Sequence, residues 1–444
     1  MTSARNRELL ALVPVALLLT AGFAAVFAQE GDKLGDLSLT YGAYFLAICL
    51  ATHIYLRIRL PNADPYLFPL VATLTTFGLV MIYRLDETLA RDQANWFVLG
   101  LVLFALTIHF LRDYDVLERY RYTIAIGGLL VLLAPRVPGI GQQVNGAYLG
   151  VKVGPLAFQP AEFTKIAIVV FLASYLREHR EVLIVGARRV LGITLPPLKH
   201  FGPMLVVWGA SMFMLVFIRD LGSSLMFFAA FLALLYVATG RFSFVAIGMG
   251  MFLLGAWFFA KTVPHVQDRI ETWLHPYRDP EETGYQILNS IFAQADGGLF
   301  GKGFGEALVT VPGTDNALLP AAHTDMIYAL IVNEVGLFGA VGVVLVYLLI
   351  AARGFKIALL ANDGFSKLLA TGLTAVFAIQ AFVIIGGVTR VIPLTGVTLP
   401  FISYGGSSIV ANFVLLALLL LVSDRARRDA AQPSGRAAAM GAPA

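Results

Sequence analysis

The sequence predicts an all-α, polytopic membrane protein with about twelve transmembrane helices. Of its 444 residues, 58% are hydrophobic and only 14% are charged, and the mean hydropathy is +0.78. Soluble domains carry roughly 25% charged residues. Apolar stretches of about 17 to 25 residues, long enough to cross a bilayer as helices, recur along the chain. We expect spans at 8–28, 38–56, 66–83, 93–111, 119–135, 159–176, 203–218, 222–238, 243–261, 324–351, 366–388 and 404–422.

Basic residues cluster in alternate connections between these spans. The series begins with Arg5 and Arg7, and it ends with Arg425 and Arg428. The positive-inside rule therefore places both termini in the cytoplasm and the long 262–322 connection outside the membrane. The formal charge of +4 is divided among separate clusters and forms no single basic patch, so membrane lipids are the expected partners and nucleic acid is not.

Neither the two ends of the chain nor its single cysteine indicates a functional site. The single cysteine, Cys49, lies in an apolar run, which excludes a disulfide framework and a cysteine-ligated metal site. The first span ends at Ala28 in a small-residue pattern, so a cleaved signal peptide is a weaker alternative to a membrane span. Residues 425–444 are rich in Ala, Gly and Pro, and we expect a disordered cytoplasmic tail there.

The 262–322 connection is the predicted reaction site. About 60 residues is far beyond an ordinary connection, and this one is too aromatic and patterned for a disordered tether. Within it, Pro276 and Pro280 flank Asp279, and both prolines restrict the backbone near this carboxylate. Tyr285 and Gln286 follow closely. Because a catalytic group must be held rigidly, Asp279 is the candidate catalytic residue of the loop.

Ionisable residues open the sixth span, where Gln159 and Pro160 precede Glu162 and Lys165. Three-residue spacing puts Glu162 and Lys165 on one face of a helix. Ionisable side chains inside a membrane are costly, so they should face a cavity or a partner. Two interpretations stay open: a local salt bridge near the interface, or a Lys165 ammonium that binds an anionic headgroup while Glu162 holds it.

Polar and irregular segments also lie at other span ends. Asp220 precedes a helix and is expected to cap it. The Gly- and Pro-rich stretch from Arg390 to Ser408 should fold over a cavity mouth, because such backbone is tolerated only where it is buried or lines water. Arg390 could pair with phosphate there or serve as a structural interfacial arginine.

Two sequence patterns resemble a phosphate loop and a metal site but do not meet the requirements of either. The glycines at 301–305 lack the Ser or Thr and the preceding strand of a phosphate loop. His323 and Asp325 fit the start of a helix better than a metal site.

The motifs together resemble the SEDS family of bacterial shape, elongation, division and sporulation proteins. The similarity runs from about Tyr66 to Ser423. The motifs are QPAEFTK at 159–165, DLGSS at 220–224, DPEETGYQ at 279–286, GGLFGKGFG at 297–305, HTDMIYALIVNEVG at 323–336 and PLTGVTLPFISYGGSS at 393–408. The family has ten spans. The resemblance thus divides the chain into a two-helix addition at 1–62, a transmembrane core at 63–424 and the tail at 425–444.

The resemblance implies a peptidoglycan glycosyltransferase in the bacterial cytoplasmic membrane. Such an enzyme polymerises lipid II at the outer face and works with a class B penicillin-binding protein that crosslinks the product. The family's essential loop aspartate falls on Asp279, and its membrane Glu and Lys fall on Glu162 and Lys165. With these we place Gln159, Tyr285, Gln286, Arg390 and Ser403 in the substrate site.

General-base attack by a sugar hydroxyl on an anomeric carbon implies inversion without a covalent intermediate. A pyrophosphate leaving group needs cations, for which Lys165, an arginine or a divalent ion such as Mg²⁺ or Mn²⁺ would serve. Two other functions stay open from the sequence. A lipid-precursor flippase would use the same membrane Glu and Lys, and a non-catalytic scaffold would use the loop to recruit the crosslinking enzyme.

Overall fold

The structure, a computed structural model, describes residues 4–30, 37–144, 147–153, 156–185, 188–190, 193–195, 209, 220–307, 309–310 and 318–431. Its helices are α1 (Ala4–Ala11), α2 (Val13–Glu30), α3 (Leu37–Arg59), α4 (Leu67–Leu85), α5 (Glu87–Phe110), α6 (Asp115–Arg119), α7 (Arg121–Leu133), α8 (Pro160–Val185), α9 (Leu221–Thr239), α10 (Phe242–Thr262), α11 (Pro264–Leu274), α12 (Tyr285–Gly297), α13 (Ile327–Leu360), α14 (Gly364–Val388) and α15 (Gly406–Ala431). Helices stand at the predicted spans, except that the seventh, 203–218, lies outside the described residues.

Within the described ranges, eight helical segments are long and apolar enough to cross a membrane. They are Ala4–Val26, Leu67–Leu85, Glu87–Phe110, Gly222–Thr239, Phe242–Thr262, Ile327–Leu360, Gly364–Val388 and Gly406–Ala431. The chain is therefore a polytopic membrane protein, as the hydropathy predicts.

The chain is predominantly helical, and two small antiparallel sheets that the sequence did not predict interrupt the helices. Strands β1 (Gly141–Val144), β2 (Ala147–Val153) and β3 (Leu156–Phe158) pair in that order before α8. Strands β4 (Arg188–Val190) and β5 (Ile193–Leu195) pair after it. Strands this short have little period-two hydrophobicity to reveal them.

Small residues let the core helices approach closely. A Cβ built on Gly100 of α5 would lie 2.6 Å from the Phe413 ring of α15, and one on Gly372 of α14 would lie 2.6 Å from Val169 of α8. Thr164 of α8 donates a hydrogen bond to the Gly128 carbonyl of α7 at 3.0 Å. In a bilayer, helix association depends on such packing and on bonds between helices. The result is a core centred on α5, α8, α14 and α15.

The N-terminal pair α2 and α3 packs on one face of this core. Phe23 of α2 meets Tyr83 of α4 with ring centroids 5.3 Å apart, and Phe45 of α3 stacks on Phe97 of α5 at 4.8 Å. Near the start of this pair, Glu8 is fully buried and bonds both Arg5 and His53. The predicted two-helix addition is thus joined to the core by aromatic contacts and carries a buried polar cluster of its own.

The predicted disordered tail begins too early. Helix α15 continues to Ala431, and ion pairs hold its last turns. Arg425 pairs with Asp115 at 2.8 Å, Arg427 pairs with the fully buried Asp64, and Arg428 pairs with Asp424. The Ala-rich composition of this stretch favours helix once such partners are present. Residues 432–444 lie outside the described part of the chain.

The 262–322 connection contains helices that hydropathy did not reveal. Helix α11 follows α10 after a single residue and begins at Pro264, a position that suits proline. Helix α12 follows the Asp279 turn. Both helices are short and amphipathic, so they escape a search for long apolar runs. We call the end of the bundle that carries this connection the loop end.

The glycine-rich 297–305 segment packs backbone against backbone on a break in α13. At Gly336 the φ angle is +69° and ψ is −175°, which breaks the helix. The amides of Lys302 and Gly303 donate to the carbonyls of Asn333 and Glu334 at 2.9 and 3.0 Å. A Cβ on Gly301 would lie 2.1 Å from the Glu334 carbonyl oxygen, so only glycine fits there. These glycines build a structural joint, consistent with the rejection of a phosphate loop.

Candidate active site

The Asp279 carboxylate lies in a tight turn between α11 and α12. Pro276 to Arg278 form one turn of 3₁₀ helix, and Asp279 follows with φ −139° and ψ 78°. Its Oδ2 accepts hydrogen bonds from the Thr283 amide at 3.2 Å and the Thr283 hydroxyl at 3.1 Å. Asp279 is half-buried. It is therefore oriented by its own turn and still accessible to a substrate.

Gly284 closes the turn, and its identity is required by space. Its amide donates to the Asp279 carbonyl at 2.8 Å. A Cβ at this position would lie 2.1 Å from the Pro276 carbonyl oxygen and 2.7 Å from that of Asp279. The two prolines thus act together with a glycine that no larger residue can replace. Tyr285 and Gln286 form the first turn of α12 and are half-buried.

An open groove of about 470 Å³ lies beside this turn. It is lined by Leu274, His275, Pro276, Tyr277, Arg278 and Arg390. Its volume falls within the range of about 300 to 1,000 Å³ typical of ligand sites. The residues directly preceding Asp279 in the chain therefore border a space large enough for part of a sugar.

Arg390 occupies a structural position at this groove. Its Nε donates to the Trp273 carbonyl at 2.8 Å, and its Nη2 donates to the Leu274 carbonyl at 2.9 Å. The Trp273 indole returns a bond to the Arg390 carbonyl at 3.1 Å. Arg390 thus satisfies the last carbonyls of α11, which favours the structural interpretation of this arginine over the phosphate-binding one.

Glu162 and Lys165 form a buried pair in the first two turns of α8. The Lys165 Nζ atom lies 2.6 Å from Glu162 Oε2, 2.7 Å from Gln380 Oε1 of α14 and 3.2 Å from Asn412 Oδ1 of α15. The Lys165 side chain is only 1% exposed. An ammonium has three donors, and here each has a partner. The pair therefore ties three helices together, which the sequence spacing alone did not indicate.

A strap, residues 389–405, connects the Lys165 core with the Asp279 turn. It joins α14 to α15. Gln380, which bonds both Glu162 and Lys165, also donates to the Thr398 carbonyl of the strap at 3.1 Å. At the other end of the strap, Arg390 holds α11. The sequence-predicted residues thus form two groups, and the strap links them.

Two more predicted substrate residues support backbone near the Lys165 core. Ser403 is buried; its hydroxyl donates to the Thr324 carbonyl at 2.7 Å and accepts from the Leu399 amide at 2.8 Å. The Gln159 amide donates to the Ser407 hydroxyl at 2.8 Å, which joins the start of α8 to that of α15. Roles of Ser403 and Gln159 in substrate binding stay predictions.

Asp220 caps α9, as predicted. Its carboxylate accepts from the Ser223 amide at 3.0 Å and from the Ser223 hydroxyl at 2.6 Å. Burial raises the pKa of Asp220, and the Ser223 bonds and the charge of Arg269 oppose that rise. The cap is therefore also part of a buried charge cluster.

Arg269, the cation of that cluster, is not among the residues predicted from the sequence. Its Nη1 donates to the Leu394 carbonyl of the strap at 2.8 Å. Burial lowers the pKa of Arg269, while the charges of Asp220 and Asp325 counteract the effect. Burial likewise raises the pKa of Asp325 to about 6, with Arg269 opposing. An arginine in a stretch taken for a loop gave no sign that it would point inward.

Across the described ranges, no three His, Cys, Asp or Glu side chains lie close enough together to hold a metal ion. Asp325 interacts electrostatically with Arg269, and His323 and Asp325 lie in the turn just before α13.

Comparison with known proteins identifies the family. The family described as cell cycle protein, which comprises FtsW, RodA and SpoVE, matches residues 65–428. The chain is a member of this FtsW/RodA/SpoVE family. Over 435 residues it is 40% identical to the peptidoglycan glycosyltransferase RodA of Mycobacterium tuberculosis, covering 96% of this chain and 91% of that one. It is 32% identical over 374 residues to a probable peptidoglycan glycosyltransferase FtsW of Geobacter metallireducens, covering 82% and 95%.

Two solved structures share the fold of this chain. One, from work on the structural coordination of polymerization and crosslinking by a peptidoglycan synthase complex, is 27% identical with a TM-score of 0.66 and covers 82% of this chain and 98% of that one. A crystal structure of the rod shape determining protein RodA of Thermus thermophilus is 24% identical with a TM-score of 0.59, covering 83% and 97%. The family match begins after the N-terminal pair α2 and α3.

Proposed function

We propose that this protein is a peptidoglycan glycosyltransferase that polymerises lipid II into glycan strands, with Asp279 as general base. The similarity to RodA and FtsW proteins supports the activity. The observation that carries the catalytic assignment is the Asp279 turn at the loop end of the membrane bundle. Its half-exposed carboxylate is oriented by Thr283, and the residues that precede Asp279 line an open groove.

The reaction is a direct displacement. A hydroxyl of one sugar attacks the anomeric carbon of the other, the bond from that carbon to the lipid pyrophosphate breaks, and Asp279 takes the hydroxyl proton. A positioned carboxylate contributes typically about 10² to 10⁴-fold to such a step. One displacement inverts the anomeric centre, and the pair of electrons from the broken bond leaves with undecaprenyl pyrophosphate.

The buried pair Glu162 and Lys165 is assigned a second role. All three Lys165 donors already have partners, of which Gln380 and Asn412 are neutral amides. A pyrophosphate oxygen could replace one amide, because its negative charge attracts the ammonium, whereas the Gln380 and Asn412 amides are neutral acceptors. Lys165 would then stabilise the leaving group, and Glu162 would keep the ammonium in place.

We also propose the topology and the partner. The chain has ten core spans and two added N-terminal spans, both termini are cytoplasmic, and the loop end faces outward; the alternating basic clusters support this orientation. The partner is a class B penicillin-binding protein that crosslinks the glycan. The similarity to a structure from a peptidoglycan synthase complex that coordinates polymerization and crosslinking supports such a pairing.

One experiment tests the activity directly. Purified protein is incubated with lipid II, and glycan polymer and undecaprenyl pyrophosphate are measured. A glycosyltransferase yields both products. A flippase moves lipid II across proteoliposome membranes without polymer, and a scaffold yields neither product alone or with an inactivated partner. Absence of polymer under all of these conditions would contradict the proposed function.

A further inference from the structure

Arg269 lies where the strap, α9, α11 and the residues leading into α13 meet. It bonds the Leu394 carbonyl of the strap, and its charged neighbours are Asp220 of α9 and Asp325, just before α13. Gly396 of the strap lies between the two charged groups: a Cβ built on it would be 3.5 Å from Asp325 Oδ2 and 3.7 Å from Arg269 Nη2. The guanidinium therefore bonds the strap directly and interacts electrostatically with two other parts of the chain.

The same face of α11 makes a second contact with the strap. Trp273 lies four residues after Arg269, so both side chains point to one side of the helix. Trp273 and Arg390 exchange hydrogen bonds at 3.1 and 2.8 Å. Helix α11 is thus fixed to the strap at two levels, and its last residue, Leu274, leads directly into the Asp279 turn.

Helix α12 is fixed independently on the other side of the turn. Ser290 and Gln294 of α12 donate to the Val388 carbonyl at the end of α14, at 3.1 and 3.0 Å. The side-chain bonds of Asp279 itself come from Thr283, within its own turn. The position of Asp279 relative to the rest of the protein therefore depends on how α11 and α12 are docked.

We propose that Arg269 is a positioning residue for glycosyl transfer: by bonding Leu394 between Asp220 and Asp325, it holds α11 on the strap and sets where the Asp279 carboxylate stands. This inference rests on the proposed function, because it assigns Arg269 to the reaction that Asp279 catalyses. Arg269 does not touch the substrate. It acts through α11.

A guanidinium suits this position better than an ammonium. Its planar fork can donate to the Leu394 carbonyl while it faces carboxylates in other directions, whereas lysine offers a single charged point. The competing interpretation is that Arg269 only stabilises the fold. The two differ in what a folded variant should do: a positioning residue changes the catalytic rate constant, and a stabilising residue changes only the melting temperature.

The test uses full-length protein in lipid nanodiscs with lipid II as substrate. Arg269→Gln, Arg269→Lys and the control Lys261→Gln are compared for kcat, KM and melting temperature. Lys261 is an exposed cation at the end of α10, so its loss removes the same charge nearby. A misplacement of about 1 Å can cost about 10²-fold. We expect Arg269→Gln to lower kcat about 10 to 100-fold with KM within about threefold, Arg269→Lys to be intermediate, and the control to match wild type.

Hydrogen–deuterium exchange supplies a second readout. Arg269→Gln should accelerate amide exchange in residues 264–284 and leave that of α5, α14 and α15 unchanged. The proposal is overturned if folded Arg269→Gln keeps at least half of the wild-type kcat, or if only KM changes. It is also overturned if Arg269→Gln does not fold while Arg269→Lys matches wild type. Asp279→Asn runs in parallel: activity in that variant would refute the proposed mechanism itself, whereas an inactive Asp279→Asn beside a fully active Arg269→Gln refutes only the positioning role.

Discussion

Arg84 and Glu334 form a buried ion pair at the loop end, with Arg84 Nε 2.9 Å from Glu334 Oε1. The Arg84 Nη2 atom also donates to the carbonyls of Gly305 and Ala307, each at 2.8 Å. Arg84 ends α4, and Glu334 precedes the Gly336 break in α13. One arginine thus ties a membrane helix to the glycine-rich segment and to the break on which that segment packs.

Removing Arg84 should destabilise this joint. In Arg84→Gln the Glu334 carboxylate stays buried without its cation, which typically costs about 3 to 5 kcal/mol. We expect a clearly lower melting temperature in detergent and faster amide exchange in residues 297–307. Replacing both partners, Arg84→Met with Glu334→Leu, should recover much of the loss, because no unpaired charge is left. If Arg84→Gln has the same melting temperature as wild type, the Arg84–Glu334 pair does not stabilise the packing of the glycine-rich segment on α13.

The membrane helices could be predicted from sequence because lipid imposes their length and composition. The capping role of Asp220 followed from its place before an apolar run. The partners of Lys165 did not, since Gln380 and Asn412 come from helices more than two hundred residues away and hydropathy says nothing about which helices pack together. The inward position of Arg269 could not be predicted for a related reason. A short amphipathic helix has no long apolar run, and its inward face is defined only by the strap that covers it.

The charge on Asp325 should make stability depend on pH. Burial raises its pKa to about 6 although Arg269 of α11 opposes this, and Asp220 of α9 lies beyond Arg269. A carboxyl whose folded pKa exceeds its unfolded value of about 3.9 stabilises the fold fully below that lower value, and the contribution is lost as the pH rises through about 6. At pH 7.5, Asp325→Asn should therefore have a higher melting temperature than wild type. Its free energy of unfolding should be larger by up to about 3 kcal/mol.

The check is thermal unfolding of both proteins between pH 5 and pH 8. The wild-type melting temperature should fall across this window relative to that of Asp325→Asn. Parallel curves would show that Asp325 does not titrate there. A more stable Asp325→Asn with lower polymerisation would mean that the protein keeps a costly buried carboxylate for the reaction.

The proposed orientation is tested by cysteine labelling in intact cells, on a background lacking Cys49. Lys302→Cys lies in the glycine-rich segment and should react with a membrane-impermeant maleimide before lysis. Asn362→Cys, in the exposed turn between α13 and α14, should react only after lysis, because a span of helix separates the two positions. The opposite pattern would invert the topology.

Substitutions can distinguish a catalytic role of the Glu162 and Lys165 pair from a purely structural one. Each single replacement, Glu162→Leu or Lys165→Met, leaves a buried charge or amide unpaired and should reduce both stability and activity. The double replacement removes both charges, so it should regain stability. If Lys165 stabilises the leaving pyrophosphate, the double variant stays inactive although it is folded; polymer yield near wild type would assign the pair to the fold alone.

Asp279 is the most direct test of the mechanism. Asp279→Asn keeps the shape of the side chain and can still bond Thr283, but it cannot accept the hydroxyl proton. We expect normal insertion, an unchanged melting temperature and a loss of about 10² to 10⁴-fold in polymerisation of lipid II, the range typical for a general base.

Glu281→Gln is the matched control for Asp279→Asn. Glu281 is an exposed carboxylate two residues further along the same turn, so its loss changes the local charge equally. It should retain activity near wild type, because the proposed mechanism assigns the proton transfer to Asp279 alone. Equal polymer yield from Asp279→Asn and wild-type protein, at equal amounts in the membrane, would remove Asp279 from the reaction. A comparable loss of activity in Glu281→Gln would instead mean that the total negative charge of the turn matters. A general base acts through one positioned carboxylate, whereas an effect of total charge would be the same for Asp279 and Glu281.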